Sequence, residues 1–284
     1  MIERLRVYFS FVRFSHSVFA LPFALAGALL ASRYHPITWP AAGWILVAMV
    51  AARSAAMGFN RLVDARYDAL NPRTANREIP RGAMSTLEAT WFVLVSSGVF
   101  VAAAWRLSPL CLALSPVALA IVFWYSLAKR FTPWTQLFLG LAMAVAPVGG
   151  WLAVGGRGGW EPWLLGLAIG LWVGGFDILY ACQDVEFDRG HGLKSIPVRF
   201  GVRSALAMSR VMHVGAVVCL AALASVTPLP FFYYAGVGGV GLLLLYEQSL
   251  VRADDLSQVK RAFDLNGYVG IFYLAVLALS VYVR

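Results

Sequence analysis

Long apolar segments alternate with short polar ones along this 284-residue chain. A segment of about 20 apolar residues can cross the hydrocarbon core of a bilayer, and such segments recur along the whole chain. A backbone in hydrocarbon must satisfy its own hydrogen bonds, so we expect these segments to be helices. The pattern predicts nine transmembrane spans, at residues 14–32, 41–60, 89–105, 107–125, 134–154, 163–183, 205–227, 229–248 and 266–283.

Lysine and arginine are divided unevenly between the two sides that these spans create. Seventeen of them lie on one side and four on the other. Because cytoplasmic loops are enriched in Lys and Arg, the asymmetry predicts that the N-terminus and the long loops are cytoplasmic and that the C-terminus is outside. We expect an integral protein of a bacterial plasma (inner) membrane.

Composition agrees with this assignment. Hydrophobic residues make up 60% of the chain and charged residues 13%, with a formal net charge of +9. A basic balance can indicate nucleic-acid binding, but here the basic residues lie in short loops, where they face anionic lipid headgroups. We therefore expect the lipid bilayer as a partner and no nucleic acid. Residues 1–284 are interpreted as one all-α, polytopic membrane domain.

Three oxygen-bearing side chains mark the end of the second predicted span. Asn60, Asp64 and Asp68 are spaced at i, i+4 and i+8, which places them on one face of a helix. Arg53 lies two turns earlier on the same face, inside an apolar run. An ionisable residue within a membrane span indicates a functional site, so we expect Arg53 to bind an anionic group of a substrate.

A second acidic segment follows the sixth predicted span. Asp177, Tyr180, Asp184 and Asp188 are spaced at i, i+3, i+7 and i+11, which predicts a single helical stripe. Both segments contain D-x-x-x-D followed by Ile-Pro, 120 residues apart, and this similarity predicts two related halves around a central cavity. Because hard cations take oxygen ligands, the two segments predict a site for a magnesium-bridged diphosphate.

Plainer interpretations remain open. Asp64 and Asp68 could pair with Arg61 and Arg66 on a solvated loop, and Arg53 could extend to the membrane interface. A cation-coupled transporter could use the acidic pairs as an ion relay, although relay residues usually lie near the membrane midplane. A CDP-alcohol phosphotransferase is a third possibility, but its D-G-x-x-A-R pattern is absent from the sequence.

Taken together, these segments resemble the UbiA superfamily of intramembrane prenyltransferases. The first family signature, N-D-x-x-D-x-x-x-D with an Arg seven residues upstream, matches residues 60–68 with Arg53. The second, D-x-x-Y-A-x-x-D-x-x-x-D followed by G-x-K-S, matches residues 177–188 and 192–195. The family's R-P-I-P-x-G and Y-x-x-x-K-R match residues 77–82 and 125–130. The family also has nine spans, so the resemblance covers essentially the whole chain.

Two positions depart from the family pattern. Arg61 stands where an acidic residue usually follows the Asn, and Glu78 stands where the family has Pro. These departures bear on the details of metal coordination, since Asn60, Asp64 and Asp68 are retained. Residues 16–23 resemble a branch described as 4-hydroxybenzoate polyprenyltransferase-like, which includes enzymes of the futalosine route to menaquinone.

The resemblance implies a polyprenyltransferase of ubiquinone or menaquinone biosynthesis. It would move the chain of a polyprenyl diphosphate to the ring of an aromatic hydroxy acid, 4-hydroxybenzoate or 1,4-dihydroxy-6-naphthoate. Two Mg²⁺ ions would be held by Asn60, Asp64, Asp68, Asp184 and Asp188. The diphosphate would be bound by Arg73, Arg77, Tyr125, Lys129 and Lys194. Arg53 would hold the acceptor carboxylate, with Asp177 and Tyr180 in support.

Overall fold

A computed structural model describes the backbone of residues 2–12 and 14–283 and the side chains of residues 7–12 and 21–283. Within this part all regular structure is helical and no β-strand occurs, which confirms the all-α class. The helices are α1 (Ile2–Phe11), α2 (Phe14–Ala31), α3 (Trp39–Leu70), α4 (Thr86–Leu107), α5 (Pro109–Ala128), α6 (Thr135–Ala153), α7 (Glu161–Ala181), α8 (Val185–Gly190), α9 (Ile196–Phe200), α10 (Val202–Val226), α11 (Phe232–Ser249) and α12 (Val259–Tyr282). Some residues used in the predictions lie outside the described side chains: the basic residues Arg4, Arg6, Arg13 and Arg284, and residues 16–20 of the segment 16–23.

Each predicted span overlaps one long helix, in the order α2 to α7 and then α10 to α12. Seven helices in the described part of the chain are long and apolar enough to cross a membrane. The other two are α2, whose described apolar stretch Leu21–Ala31 is shorter, and α11. The protein is therefore an integral membrane protein, and the count of nine spans stays a prediction.

The helix that differs most from its prediction is α3. The apolar pattern predicts an end at Asn60, but the helix continues for ten more residues. It ends where Asn71 adopts an extended backbone and donates its N–H to the carbonyl of Tyr67. An apolar pattern marks the buried part of a helix, whereas capping marks its end. The prediction that Arg61 and Arg66 lie in a loop is therefore wrong, because both lie within α3.

The second acidic segment differs from its prediction in the opposite sense. α7 ends at Ala181 and is followed by a 3₁₀ turn, Cys182–Asp184, before α8 begins. The N–H of Cys182 bonds to the carbonyls of Leu179 and Tyr180, which tightens the chain at this point. A 3₁₀ turn inside a helix often marks a functional hinge or local strain. The stripe predicted for this segment is thus interrupted.

Small residues allow α2 and α6 to cross closely. A Cβ atom at Gly27 would lie 1.9 Å from the carbonyl oxygen of Pro147, and one at Gly150 would lie 2.0 Å from that of Ala24. Such close approach of backbones is how helices pack in membranes, where the hydrophobic effect between helices is absent. The main hydrophobic core joins α2 to helices of the C-terminal half, around the fully buried side chains of Trp172, Tyr233 and Tyr273.

A large apolar cavity lies between α3, α4, α5, α6 and α7. Its volume is about 810 Å³, and its lining is almost entirely aliphatic and aromatic. Arg53 and Tyr125 are the two lining residues that the sequence also marks as candidates for a site. The helices therefore form a pocket large enough for a substantial apolar ligand, with a cation on its wall.

Candidate active site

The first acidic motif lies at the carboxyl end of α3. The amide of Asn60 donates to Oδ2 of Asp64 at 3.2 Å, as expected for residues one turn apart. Asp64 and Asp68 are buried, with 2% and 6% of their surface exposed. A buried carboxylate is costly unless it is paired or hydrogen-bonded, so the groups that face these two acids define the site.

Cations from other segments neutralise both acids. Asp64 lies 2.9 Å from Nζ of Lys129 and accepts a hydrogen bond from Arg130 at 3.0 Å. Asp68 accepts from Nη1 of Arg77 at 2.8 Å on both of its oxygens. The plainer interpretation, in which Arg61 and Arg66 would pair with these acids, is therefore wrong. The motif collects its positive charge from the end of α5 and from the loop after α3.

The loop after α3 folds back on the helix end through short polar contacts. The side-chain oxygen of Asn71 accepts from the N–H of Arg73 at 3.0 Å. The hydroxyl of Thr74 donates to the carbonyl of Asp68 at 3.1 Å. Side chains of this type commonly bond to nearby backbone and fix turns. The turn directs the guanidinium group of Arg73 away from its own motif.

Arg73 reaches the second acidic motif. Its guanidinium group donates to both oxygens of Asp184, at 3.0 and 2.5 Å, and to the hydroxyl of Tyr180 at 2.8 Å. Burial lowers the pKa of Arg73, but the charge of Asp184 and the contact with Tyr180 outweigh burial and raise it above its ordinary value. The amide of Asn71 also donates to Asp184, at 3.4 Å. The two motifs, which are far apart in sequence, thus meet at one place.

Two further acids face the same place at longer range. Asp188 interacts electrostatically with Asp184, Lys129 and Asp64. Asp177 interacts with Asp184 and Lys129 in the same way. Lys129 is therefore positioned between the motifs, in contact with an acid of the first and within electrostatic range of two acids of the second. Opposite charges thus alternate across the site.

Lys194 lies at the edge of this arrangement. Its backbone N–H donates to the carbonyl of Lys129 at 2.7 Å, and its Nζ donates to the carbonyl of Phe131 at 3.1 Å. Just before it, Gly192 has φ +68°, a conformation that favours glycine. The loop after α8 is thereby attached to the end of α5, which brings Lys194 close to Lys129 without a contact to any of the predicted metal ligands.

Arg53 and Tyr125 connect the charged cluster with the apolar cavity. Both line the cavity. Tyr125 also interacts electrostatically with Arg53, Asp177 and Asp64. Tyr125 therefore links the cavity lining to acids of both motifs, and Arg53 lies two helical turns before Asn60 on α3.

Two residues of the site, Arg130 and Asn71, are not among the ligands that the sequence predicts. Arg130 contacts Asp64 and also donates to the carbonyl of Val63 at 2.5 Å. In the sequence it counts only among the seventeen basic residues of the cytoplasmic side, although it directly follows Lys129. Asn71 was not considered, because nothing in the apolar pattern marks it as the residue that ends α3. In the described part of the chain no three acidic, His or Cys side chains converge on one point.

Comparison with known proteins assigns the chain to a family. The sequence matches the UbiA prenyltransferase family over residues 20–277. It is 32% identical over 242 residues to 4-hydroxybenzoate octaprenyltransferase from Escherichia fergusonii, an alignment that covers 84% of this chain and 83% of the relative. It is 30% identical over 241 residues to the enzyme of the same name from Citrobacter koseri, with the same coverage.

The fold is also similar to solved structures. A UbiA homolog from Aeropyrum pernix K1 superposes with a TM-score of 0.85 at 36% identity, covering 93% of this chain and 98% of that one. A UbiA homolog from Archaeoglobus fulgidus bound to GPP and Mg²⁺ has a TM-score of 0.76 at 19% identity, covering 96% and 99%, and shares the fold. The transporter and CDP-alcohol phosphotransferase alternatives are thereby set aside. This chain belongs to the UbiA prenyltransferase family, and it is a membrane-embedded prenyltransferase.

Proposed function

We propose that the protein transfers a polyprenyl chain from polyprenyl diphosphate to the ring of a hydroxylated aromatic acid. The observation that carries this proposal is the bridge that Arg73 makes from the first motif to Asp184 and Tyr180 of the second. This bridge supports the proposal because it joins the two motifs directly, and because Tyr125, which lines the apolar cavity, interacts electrostatically with acids of both motifs. That combination suits a ligand with a charged head and a long apolar tail.

The relatives support the choice of substrates. Those from Escherichia fergusonii and Citrobacter koseri are 4-hydroxybenzoate octaprenyltransferases, and the Archaeoglobus fulgidus homolog was solved with GPP and Mg²⁺. We therefore favour 4-hydroxybenzoate or 1,4-dihydroxy-6-naphthoate as the acceptor. The proposed place of the reaction is ubiquinone or menaquinone biosynthesis in a bacterial inner membrane. The nine-span arrangement, with N-terminus and site loops in the cytoplasm and C-terminus outside, is part of the proposal.

The donor atoms of the two motifs fit Mg²⁺, which binds through carboxylates and substrate phosphates. The residues that would hold it are Asn60, Asp64, Asp68, Asp184 and Asp188. When bound, Mg²⁺ would neutralise the charge that develops on the departing diphosphate. Each buried acid of the first motif now has a cation against it, and those cations would turn to phosphate oxygens when the donor enters.

We expect the proposed diphosphate ligands to make this exchange. Arg73 and Arg77 are planar, permanently charged groups that suit bidentate binding of phosphate. Lys129 lies between the motifs, Tyr125 lies at the cavity end, and Lys194 lies beside Lys129. Donors that are already oriented toward a leaving group lower the barrier without reorganising during the reaction. The allylic C–O bond would then break, and the diphosphate would leave with the bonding electron pair.

The cavity would provide the second half of the reaction. Arg53 would bind the acceptor carboxylate and so orient the electron-rich ring toward the allylic carbon. A ring carbon would form the new C–C bond and lose its proton to the released diphosphate, which restores the aromatic ring. Asp177 and Tyr180 would support the charged groups. The apolar lining would hold the isoprenoid tail and exclude water. Water would otherwise add to the allylic carbocation that forms when the C–O bond breaks.

The test is a prenyl-transfer assay on the full-length protein in membranes. Each aromatic acid is supplied separately with Mg²⁺ and one polyprenyl diphosphate, and the product is identified by mass. We expect one of the two acids to gain a prenyl group on the ring, and we expect product formation to stop when the metal is chelated. If neither acid is prenylated with any donor length, the proposal is wrong.

A further inference from the structure

The two positions that depart from the family pattern meet in the structure. Arg61 and Glu78 are 17 residues apart and form a buried salt bridge, with 4% and 3% of their surfaces exposed. The second oxygen of Glu78 accepts a hydrogen bond from the hydroxyl of Ser10 at 2.5 Å. The two departures from the family pattern, Arg61 and Glu78, thus form one ion pair. Ser10 connects this pair to α1.

The side chain of Arg61 points away from the acidic site. Neighbours on a helix are about 100° apart around its axis, so Arg61 does not share the face of Asn60. Its guanidinium group lies 5.9 Å from the ring centre of Phe11 in α1. Phe11 belongs to a small buried apolar cluster with Val12, Met84 and Ala89. Arg61 therefore does not occupy the place of a metal ligand, and the oxygen set of the first motif is unaffected.

Glu78 is covalently next to Arg77, the residue that holds Asp68. Its backbone carbonyl accepts from the N–H of Met84 at 3.1 Å, and the N–H of Arg77 donates to the carbonyl of Thr74 at 2.9 Å. The loop is thus held on one side by Arg61 and Ser10 and on the other by its own turn. An anchored Glu78 fixes the backbone from which the guanidinium of Arg77 extends.

We propose that the Arg61–Glu78 pair positions Arg77 for binding the diphosphate of the prenyl donor. This inference rests on the proposed function, in which Arg77 is a diphosphate ligand. Neither member of the pair touches the substrate. The pair acts through the loop, so its loss weakens donor binding and leaves the acceptor site around Arg53 unchanged.

A purely structural role would show a different pattern. A buried ion pair often adds little net stability, but removal of one partner leaves the other charge uncompensated. A single variant therefore combines the release of the loop with the destabilising effect of an uncompensated buried charge. Removing both charges together, as in Arg61→Met with Glu78→Gln, avoids an uncompensated charge while still releasing the loop. Arg61→Lys keeps the charge and loses only the planar geometry.

The experiment measures Mg²⁺-dependent binding of geranyl diphosphate to the full-length protein in nanodiscs. The proteins are wild type, Arg61→Lys, Glu78→Gln and the double variant. The matched control is Glu161→Gln, which alters another buried carboxylate, hydrogen-bonded to Tyr34 at 2.9 Å, far from both motifs. Acceptor KM and thermal unfolding are recorded for each protein.

We expect the Kd for geranyl diphosphate to rise about tenfold in the double variant, a loss of about 1.4 kcal/mol. Arg61→Lys should recover part of the affinity, and Glu161→Gln should bind as wild type does. If Glu78→Gln alone fails to fold, the donor affinity of the double variant still tests whether the pair positions Arg77. A folded double variant with wild-type donor affinity, or with equal weakening of donor and acceptor, would overturn the proposal. If the wild-type protein binds geranyl diphosphate but prenylates no aromatic acid, the proposed function is wrong and the inference about donor binding is unaffected.

Discussion

Both acidic motifs contain the pattern D-x-x-x-D, but the surroundings of the two motifs differ. The first lies on a single continuous helix, and both of its acids are buried against cations. The second crosses from α7 through a 3₁₀ turn into α8. Its Asp184 is held by Arg73, which belongs to the loop of the first motif, and its Asp188 is partly exposed with no ion pair among the described residues.

The difference shows that the motifs are not equivalent. The acids of the first motif contact cations from the loop after α3 and from the end of α5, and none of these cations belongs to the second motif. The second depends on the first, because Arg73 is its one direct cation contact in the described structure. The loop after α3 therefore couples the two motifs, because its Arg77 contacts Asp68 and its Arg73 contacts Asp184.

The largest effect is expected from Asp64→Asn. This change removes the acid that faces both Lys129 and Arg130, so a proposed metal ligand is lost and two cations lose their partner. We expect the rate of prenyl transfer to fall by about 10³-fold, as for the loss of one essential charged group in an active site. Initial rates in membranes test this.

The matched control for that variant is Glu186→Gln, which changes an exposed acid within the second motif. We expect its rate to stay near wild type. An Asp64→Asn enzyme within tenfold of wild type, at equal membrane levels, would contradict the importance given to the first motif.

A smaller loss, about 100-fold in rate, is expected for both Asp184→Asn and Asp188→Asn, since each removes a proposed oxygen ligand. The two should differ in their effect on the first motif. Only Asp184 contacts Arg73, so only Asp184→Asn should loosen residues 71–77. We expect amide hydrogen exchange there to become about tenfold faster in that variant. Equal protection in the two variants would argue against the dependence of one motif on the other.

The variant Arg53→Met distinguishes the role of the cavity from that of the acidic motifs. Arg53 lies on the cavity wall, so we expect the acceptor KM to rise at least about tenfold through loss of a charged hydrogen bond. The donor KM should stay within about twofold of wild type, because the proposed diphosphate ligands are unchanged. A rise in the donor KM alone would place Arg53 with the diphosphate.

The smallest effect is expected from Arg130→Ala, and mainly on stability. The change removes hydrogen bonds to Val63 and Asp64, at a cost of about 1–3 kcal/mol. Thermal unfolding in detergent should show a lower midpoint. Arg189→Ala, at an exposed arginine that directly follows Asp188, serves as the control and should unfold as wild type does. Equal midpoints for the two variants would mean that Arg130 does not stabilise the end of α3.

The helices could be predicted from the sequence, but some of their ends could not. Each apolar run corresponds to a helix, because helical backbone is the only economical structure in lipid. The extension of α3 to residue 70 was missed because its last turns are polar and end at a cap that hydropathy does not register. The break after Ala181 depends on hydrogen bonds between neighbouring residues, which side-chain spacing alone does not reveal.

The residue types of the candidate site were visible in the sequence, but their partners were not. Helical spacing grouped Asn60, Asp64 and Asp68, and the structure places them in one stack. The contacts of Asp184 with Arg73 and of Arg61 with Glu78 join segments that are remote in sequence or lie across a loop. The packing of the helices determines which charged residues pair. The sequence therefore shows the charged residues but does not reveal their partners.

The measurement that tests the central claim most directly is the binding of geranyl diphosphate, with and without Mg²⁺, to wild type, Asp68→Asn and Asp184→Asn. The claim is that one acid from each motif serves a single diphosphate site. It predicts Mg²⁺-dependent binding to wild type that is lost in both variants alike. Mg²⁺-dependent binding that survives at wild-type affinity in either variant would contradict it.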